Sequence, residues 1–270
     1  MKDKCKLIAE IGWNFIGDMV LAKEMIVSAK ESGADYAKFQ TWSTNDLKPG
    51  AWDKDGRIDL YKKAELSKEK HMELKEYCDK INIEFLTSVF NPKYFDFLKN
   101  LNLKSIKIAS MEINNEKLIS RAKSLYKQIF ISTGATKLDE IKKLSKEIQG
   151  DQFVLFHCVS SYPTPAENVN LPRIDFLKKY FTRVGYSGHY KGIVDAIGAI
   201  NYGVEFIEKH FTIDNSLPGR DNQFSILPHE MKILSDYRNN FNTINNDLGP
   251  EMQDIELDVH NNMRQRWSKT

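Results

Sequence analysis

The sequence is poor in the features that mark secreted and membrane proteins. Its three cysteines, Cys5, Cys78 and Cys158, stand far apart without CxxC spacing, which argues against a disulfide framework and for a reducing compartment. No apolar run reaches the roughly 20 residues that a transmembrane helix needs. The charged residues 1–14 include too short an apolar stretch for a signal peptide. We therefore expect a cytoplasmic protein.

Charge of one sign is also scarce. The chain has 39 Lys and Arg against 37 Asp and Glu, a net charge of +2. This balance gives no reason to expect nucleic acid or an anionic membrane as a partner. Hydrophobic residues make up 41% of the 270 residues and aromatic residues 11%, enough for a sizeable core. The length suits one large α/β domain or two smaller ones.

Short apolar strands alternate with amphipathic helices along the chain. The strands are predicted at 6–13, 36–42, 85–90, 105–110, 128–134, 153–161, 184–189 and 205–211. The clearest helices are predicted at 18–33, 67–81, 115–125, 136–148, 175–181 and 228–241, with a long polar loop at 43–66.

About eight βα units in about 250 residues are the signature of a (β/α)₈ TIM barrel. A doubly wound sheet is the second choice, because no glycine fingerprint follows the first strand. We assign residues 1–245 to the barrel and 246–270 to a polar tail that serves as an appendage or a dimer contact.

The stretch 183–211 suggests the floor of an active site. Side chains two apart in a strand share a face, so Ser187 lies beside His189 and Glu208 beside His210. The intervening helix makes the two strands parallel, which places the histidines side by side at the carboxyl ends. That arrangement suits a divalent metal, with substrate, water or a carboxylate completing the shell. The alternative is a pair of hydrogen-bonded structural histidines.

Polar side chains gather at the carboxyl ends of the other predicted strands too, where barrel enzymes place their chemistry. They are Glu10, Asn14, Lys38, Gln40, Thr87, Ser88, Lys107, Ser110, Ser132, Thr133, Ser160, Ser161 and Tyr162.

Two lysines within apolar strands need an explanation, because a buried charge is costly unless it is paired. Lys38 and Lys107 either form structural ion pairs with Glu10 or Glu208, or jointly hold an anionic ligand such as a phosphate or carboxylate. No Walker loop is present to hold a phosphate in another way.

Cys158 directly follows His157 and raises the question of a catalytic pair. Neighbouring residues of a strand face opposite sides, so we expect the two not to meet and Cys158 to be a buried structural residue.

Several segments together resemble the N-acetylneuraminate (sialic acid) synthase family. They are AEIGWN, AKFQTW, KIASMEINN, ISTGAT, SSYPTPAENVNL, GYSGH and IEKHFTIDNSLPGRDNQFS. The resemblance covers residues 5 to about 245 and implies a TIM-barrel transferase that condenses phosphoenolpyruvate with an N-acetylated hexose such as N-acetylmannosamine and releases phosphate. It further implies a homodimer.

The resemblance also implies roles for individual residues. His189 and His210 match the metal-binding histidines, which usually hold Mn²⁺ or Mg²⁺, and Glu10 and Glu208 match residues that handle protons and position the sugar. The phosphoenolpyruvate positions of the family correspond to Lys38, Ser88, Lys107, Ser110, Ser132, Ser160 and Ser187. The sugar positions correspond to Glu10, Gln40, Tyr162, Glu208 and Asp221.

The sequence also departs from the family pattern. Met111 replaces a glycine, Gly188 replaces the aspartate of an SDH motif, and Phe15 and Ile16 replace the polar centre of an NHNG motif. We expect no counterpart of the family's C-terminal antifreeze-like domain. Two alternatives therefore stay open: a related 3-deoxy sugar acid synthase that uses a different aldose, and a non-catalytic sugar-binding barrel. Arg220 is an isolated candidate for binding a phosphorylated sugar.

Overall fold

The computed structural model describes residues 5–50 and 56–267, in which eight parallel strands close into a barrel in sequence order. This confirms the predicted (β/α)₈ architecture. The strands are β1 Lys6–Gly12, β2 Tyr36–Thr41, β3 Glu84–Val89, β4 Ser105–Ile108, β5 Gln128–Ser132, β6 Phe153–Cys158, β7 Val184–Gly188 and β8 Phe206–His210.

Helices cover the outside of the barrel. They are α1 Met19–Glu31, α2 Arg57–Ala64, α3 Lys68–Lys80, α4 Phe95–Leu98, α5 Glu116–Leu125, α6 Leu138–Glu147, α7 Arg173–Lys178, α8 Val194–Asn201, α9 Pro228–Ile244 and α10 Leu257–Asn262. Most predicted elements are present with small shifts at their ends. Several strands end earlier than expected, because the polar residues after them turn into the loops above the barrel.

The start of α6 differs in detail from the prediction. Thr136 and Asp139 have the spacing of a capping box at the start of this helix, but the Thr136 hydroxyl donates to the carbonyl of Gly134 at 2.9 Å. Instead, the Glu140 carboxylate accepts the backbone N–H of Lys137 at 2.7 Å, one position later than expected. The bond satisfies a backbone donor that the first helical turn leaves free.

Helix α2 corrects the prediction of a long polar loop at 43–66, of which residues 51–55 lie outside the described residues. Gly56 adopts a left-handed conformation, with φ 80°, immediately before the helix begins. Within α2, Tyr61 packs edge-on against Trp13 and Trp42, at ring-centroid distances of 5.2 and 5.4 Å. These contacts come from distant parts of the chain, so the local sequence pattern did not indicate them.

The barrel interior has an apolar floor and a polar upper layer. The floor consists of Ile8, Tyr36, Leu86, Phe130, Val154, Phe156 and Phe206. Because strand residues alternate in direction, the inward positions two residues further along carry Glu10, Lys38, Ser88 and Ser132. A larger apolar core fills the space between the strands and the helices. The floor excludes water from below and leaves the polar layer to face the carboxyl-terminal end.

The residues after α9 lie on the surface. Residues 246–267 are exposed throughout and include the largely exposed side chains of Ile255 and Trp267. In the described ranges, no helix combines the length and apolar character required to cross a membrane.

Candidate active site

His189 and His210 lie side by side above adjacent strands. Ser187 and Gly188 of β7 pair with Glu208 and Lys209 of β8, and the two imidazole centroids are 5.4 Å apart. Their proximity agrees with the prediction from sequence. Both rings are buried, and burial lowers the pKa of His189 to about 4 and that of His210 well below its usual value. Both are therefore neutral at pH 7.

Two lysines and two glutamates form a buried network beneath the histidines. Lys38 Nζ forms an ion pair with Glu10 Oε2 at 2.5 Å. Glu208 Oε2 lies 2.8 Å from Lys107 Nζ and 3.7 Å from Lys38 Nζ. The ion pairs that the sequence left as one alternative are thus present. One carboxylate oxygen lies between both ammonium groups.

The two glutamates differ in electrostatic environment. Burial raises the pKa of Glu10 to about 7, because Lys38 only partly offsets the desolvation. Burial also acts to raise the pKa of Glu208, but Lys107 and Lys38 outweigh it and bring the value to about 2. Ser187 Oγ adds a hydrogen bond to Glu208 Oε1 at 3.0 Å. At neutral pH Glu208 is ionised, whereas Glu10 is able to exchange a proton.

Hydroxyl groups border this network on the β3–β6 side. Ser88 pairs in register with Gln40 and Lys107, and Ser132 ends β5 at an inward position. Gly134 N–H donates to Ser110 Oγ at 3.0 Å, and a β-carbon at Gly134 would lie 2.2 Å from Ser160 Oγ.

Cys158 also lies among these hydroxyl groups, although the sequence interpretation was only that of a buried structural residue. Its thiol is 3.7 Å from Ser110 Oγ and 3.9 Å from His189 Nδ1. His157 points the other way, to the carbonyl of Val169, so the two do not form a pair, as expected. The missed signal was alternation: Phe156 faces the barrel interior, so Cys158 does too.

Aromatic and polar side chains form the rim above the histidines. The Tyr162 ring centroid lies 4.1 Å from that of His189, and Arg220 lies 5.3 Å above the same tyrosine ring. Trp13 Nε1 donates to Asp221 Oδ2 at 2.8 Å. Burial raises the pKa of Asp221, and Oδ1 of that carboxylate is buried without a hydrogen-bond partner.

Two hydrogen bonds link the rim to the buried network of lysines and glutamates. Gln40 Nε2 donates to Glu10 Oε1 at 2.8 Å, and Trp42 Nε1 donates to Gln40 Oε1 at 3.1 Å.

Thr87, a strand-end residue in the sequence analysis, lies outside the site. Its hydroxyl is 2.7 Å from Thr41 Oγ1, which in turn contacts His71 Nε2 at 2.8 Å in the helix layer. Asn14 likewise holds the chain together, by donating to the carbonyl of Phe211 and to Ser225 Oγ. Arg220 is not an isolated basic residue, because both Arg220 and Arg57 act to lower the pKa of Asp221.

The donor set is compatible with a divalent cation. His189 Nδ1 lies 2.7 Å from the carbonyl of Val159, which assigns the proton to Nδ1 and leaves Nε2 as an available ligand. His210 Nδ1 is buried without a hydrogen-bond partner, 3.7 Å from Asp221 Oδ2. Across the ranges the structure covers, no three or more His, Cys, Asp or Glu residues are grouped to hold a metal. The histidines would therefore supply two ligands, and substrate or water the others.

A family model described as the NeuB family matches residues 25–248. The chain belongs to this family. It is 39% identical over 249 residues to N,N'-diacetyllegionaminic acid synthase of Legionella pneumophila, covering 85% of this chain and 70% of that one. It is 35% identical over 256 residues to N-acetylneuraminate-9-phosphate synthase of Drosophila melanogaster, covering 88% and 68%. The chain is thus an enzyme of a family of nonulosonic acid synthases.

Solved structures agree with this assignment. N-acetylneuraminic acid synthetase of Leptospira borgpetersenii, in complex with citrate, superimposes with a TM-score of 0.84 at 32% identity, covering 98% of this chain and 93% of that one. Two 3-deoxy-D-arabino-heptulosonate 7-phosphate synthase structures from Thermotoga maritima share 13% and 14% identity, which shows a common fold alone.

Proposed function

We propose that this NeuB-family enzyme condenses phosphoenolpyruvate with the open-chain form of an N-acetylated hexose, such as N-acetylmannosamine, and releases inorganic phosphate. The observation that carries the proposal is the position of Glu208 Oε2, 2.8 Å from Lys107 Nζ and 3.7 Å from Lys38 Nζ. This position supports the proposal, because both ammonium groups lie within ion-pair distance of one anionic atom. Phosphate and carboxylate oxygens of the substrate would compete for the same two lysines.

The serines support this assignment of the anion subsite. Ser110 and Ser160 converge at Gly134, close to Cys158, and Ser88 stands in register with Lys107. Hydroxyl groups at these positions add hydrogen-bond donors for phosphoryl oxygens. The lysines would hold phosphate and carboxylate in place while charge moves in the reaction.

In the proposed reaction, C3 of phosphoenolpyruvate forms a bond to the aldehyde carbon of the sugar. The aldehyde oxygen takes up a proton, and positive charge develops at C2. Water adds to C2 and loses a proton, which gives a tetrahedral intermediate. The bond between C2 and the phosphate oxygen then breaks, and the C2 hydroxyl group loses its proton, which the departing phosphate takes up, to become the keto group. The products are a 2-keto acid and inorganic phosphate.

The two glutamates would have separate roles. Glu10, whose pKa is about 7, is placed to move a proton at the attacking water or at the sugar oxygen. Glu208 stays ionised and would position sugar hydroxyl groups or the lysines. Gln40, Tyr162 and Asp221, which surround Glu10 and the histidines at the rim, would contact the sugar.

We further propose that His189 and His210 hold Mn²⁺ or Mg²⁺. Such an ion, when bound, would supply Lewis-acid polarisation of a carbonyl oxygen. A His189→Ala variant should lose metal-dependent turnover, and full activity in that variant would remove the metal from the scheme.

A phosphate-release assay tests the proposal. Wild-type protein is given phosphoenolpyruvate and either N-acetylmannosamine or its deoxy and diamino relatives, with and without Mn²⁺. We expect aldose-dependent release, reduced at least about 100-fold by Lys107→Gln because an electrostatic contact to the reacting phosphate is lost. Lys104→Gln is the matched control, because Lys104 forms an exposed ion pair with Glu84 at the surface. Absence of release with every aldose would refute the proposal.

We propose a homodimer in the cytoplasm as its working form. The exposed apolar side chains of residues 246–267 support a subunit contact there. Light scattering on the purified chain measures the assembly directly.

A further inference from the structure

A buried charged group lies behind the two histidines, on the outer side of the barrel strands. Lys209 stands between Glu208 and His210 in β8, and its Nζ lies 2.9 and 3.1 Å from the two carboxylate oxygens of Asp195 in α8. Tyr186 Oη donates to the same carboxylate at 2.8 Å. All three of these side chains, Lys209, Asp195 and Tyr186, are at most 5% exposed. We call them the Lys209 network.

The network also forms a hydrogen bond to the backbone next to His189. Lys209 Nζ also donates to the carbonyl of Tyr190, the residue after His189, at 2.7 Å. The carbonyl of His189 itself accepts the N–H of Thr164 at 3.0 Å. A single side chain, adjacent in sequence to His210, therefore binds the backbone carbonyl of the residue that follows His189.

Gly188 makes room for this arrangement. A β-carbon at Gly188 would lie 2.2 Å from Asp195 Oδ2 and 2.6 Å from the Tyr186 ring. Gly188 is also the direct register partner of Lys209. The carboxylate of Asp195 thus reaches over from the helix into the space beside the strand, where any side chain at position 188 would otherwise lie.

The energetics favour a role other than stability. A buried ion pair recovers little more than its desolvation cost, and apolar residues of similar volume often serve stability as well or better. The outward face of a barrel strand is ordinarily apolar, as the core around this network is. The hydrogen bonds of a lysine, an aspartate and a tyrosine hold the neighbouring backbone in a defined orientation, which apolar side chains would not do.

We infer that the Lys209 network is a positioning device that sets the spacing of the His189 and His210 imidazoles. Lys209, Asp195 and Tyr186 touch no reacting atom in this scheme. They act through the backbone that follows His189 and through the strand residue that precedes His210. The inference rests on the proposed function, because its purpose is the metal site proposed for these two rings.

The test measures Mn²⁺ affinity by calorimetry or electron paramagnetic resonance, together with thermal unfolding. Asp195→Asn keeps the shape of the side chain but removes the charge that orients Lys209, and we expect the Kd for Mn²⁺ to rise about tenfold, as for other residues that orient metal ligands. Arg238→Met breaks the Arg238–Asp35 pair at the opposite end of the barrel. It should lower the unfolding temperature without changing the Kd for Mn²⁺.

A rescue variant separates positioning from folding. Gly188→Asp alone should be poorly tolerated, because its β-carbon would lie 2.2 Å from Asp195 Oδ2 and 2.6 Å from the Tyr186 ring. Gly188→Asp combined with Asp195→Ala and Tyr186→Leu removes both obstacles and moves the carboxylate from the helix to the strand, directly opposite Lys209. This triple variant should recover most of the lost affinity for Mn²⁺. If Asp195→Asn does not fold, the triple variant still tests the inference, since a folded protein with unrestored affinity would contradict it.

The outcomes distinguish the inference from the proposed function. Wild-type affinity for Mn²⁺ in Asp195→Asn, with only a lower unfolding temperature, would overturn the inference and leave the metal site intact. A wild-type protein that binds no Mn²⁺ would refute the metal site. In that case a crystal structure of Asp195→Asn decides, and an imidazole separation unchanged from 5.4 Å would overturn the positioning role as well.

Discussion

At the scale of single residues, Glu10 is the group whose chemistry depends most on its surroundings. Its burial and its pKa of about 7 suit proton exchange at neutral pH. We expect Glu10→Gln to lower kcat for phosphate release by about 10²–10⁴-fold, the usual contribution of a positioned acid or base. Steady-state kinetics measure the effect. Glu84→Gln, a change at the surface start of β3, is the control and should leave kcat unaltered.

His71 should make stability depend on pH. Burial lowers its pKa from 6.5 to about 4, so the unfolded chain binds the extra proton between these values. The stabilisation is complete above pH 6.5 and is lost as the pH falls through 4, on the order of 3 kcal/mol in total.

Urea unfolding between pH 8 and 4 measures this dependence. His71→Gln should show a shallower loss of unfolding free energy with acid than the wild type. Equal slopes for the two proteins would show that the His71 environment does not hold the neutral form.

At the scale of elements, the docking of α2 depends on a glycine in the loop after β1. Gly17 has φ +82°, and a β-carbon there would lie 1.9 Å from the carbonyl oxygen of Lys63 in α2. Gly150 has φ +93°, but a β-carbon there would have no atom of the described residues within 4 Å other than those of its chain neighbours, so it is a matched control for backbone strain.

We expect Gly150→Ala to lower the free energy of unfolding by about 1 kcal/mol through strain alone. Gly17→Ala should lower it by about 3 kcal/mol, because overpacking against α2 adds to the strain. Hydrogen exchange should also become faster across Arg57–Ala64 in Gly17→Ala only. Equal effects of the two substitutions would mean that the close approach of α2 to this loop contributes little.

At the scale of the whole molecule, the tail tests the proposed division of the chain at residue 245. Residues 246–267 are exposed, so deleting 246–270 should shift the unfolding temperature by less than about 2 °C. If the tail forms the subunit contact, light scattering should record a halved mass. A large loss of stability would instead make the tail part of the barrel unit, and an unchanged dimer would place the contact elsewhere.

The regular alternation of strands and helices was readable from the sequence, because local periodicity and turn residues determine it. Parallel strands joined by helices then place their carboxyl ends at one edge of the barrel. For this reason the sequence alone predicts that His189, His210, Lys38 and Lys107 lie near one another.

The sequence alone does not predict which side chains make contact across the barrel. Glu208 meets Lys107, 101 positions away, and nothing in either segment distinguishes that ion pair from an anion held by both lysines. Helix α2 is likewise held by aromatic contacts with Trp13 and Trp42.

The sequence by itself determined the barrel and the end of it that carries the chemistry, since both follow from short-range patterns repeated along the chain. Only the tertiary structure decided which charges pair and how Asp195 fills the space beside Gly188. These depend on distances between segments far apart in the chain, and such distances exist only once the barrel has closed.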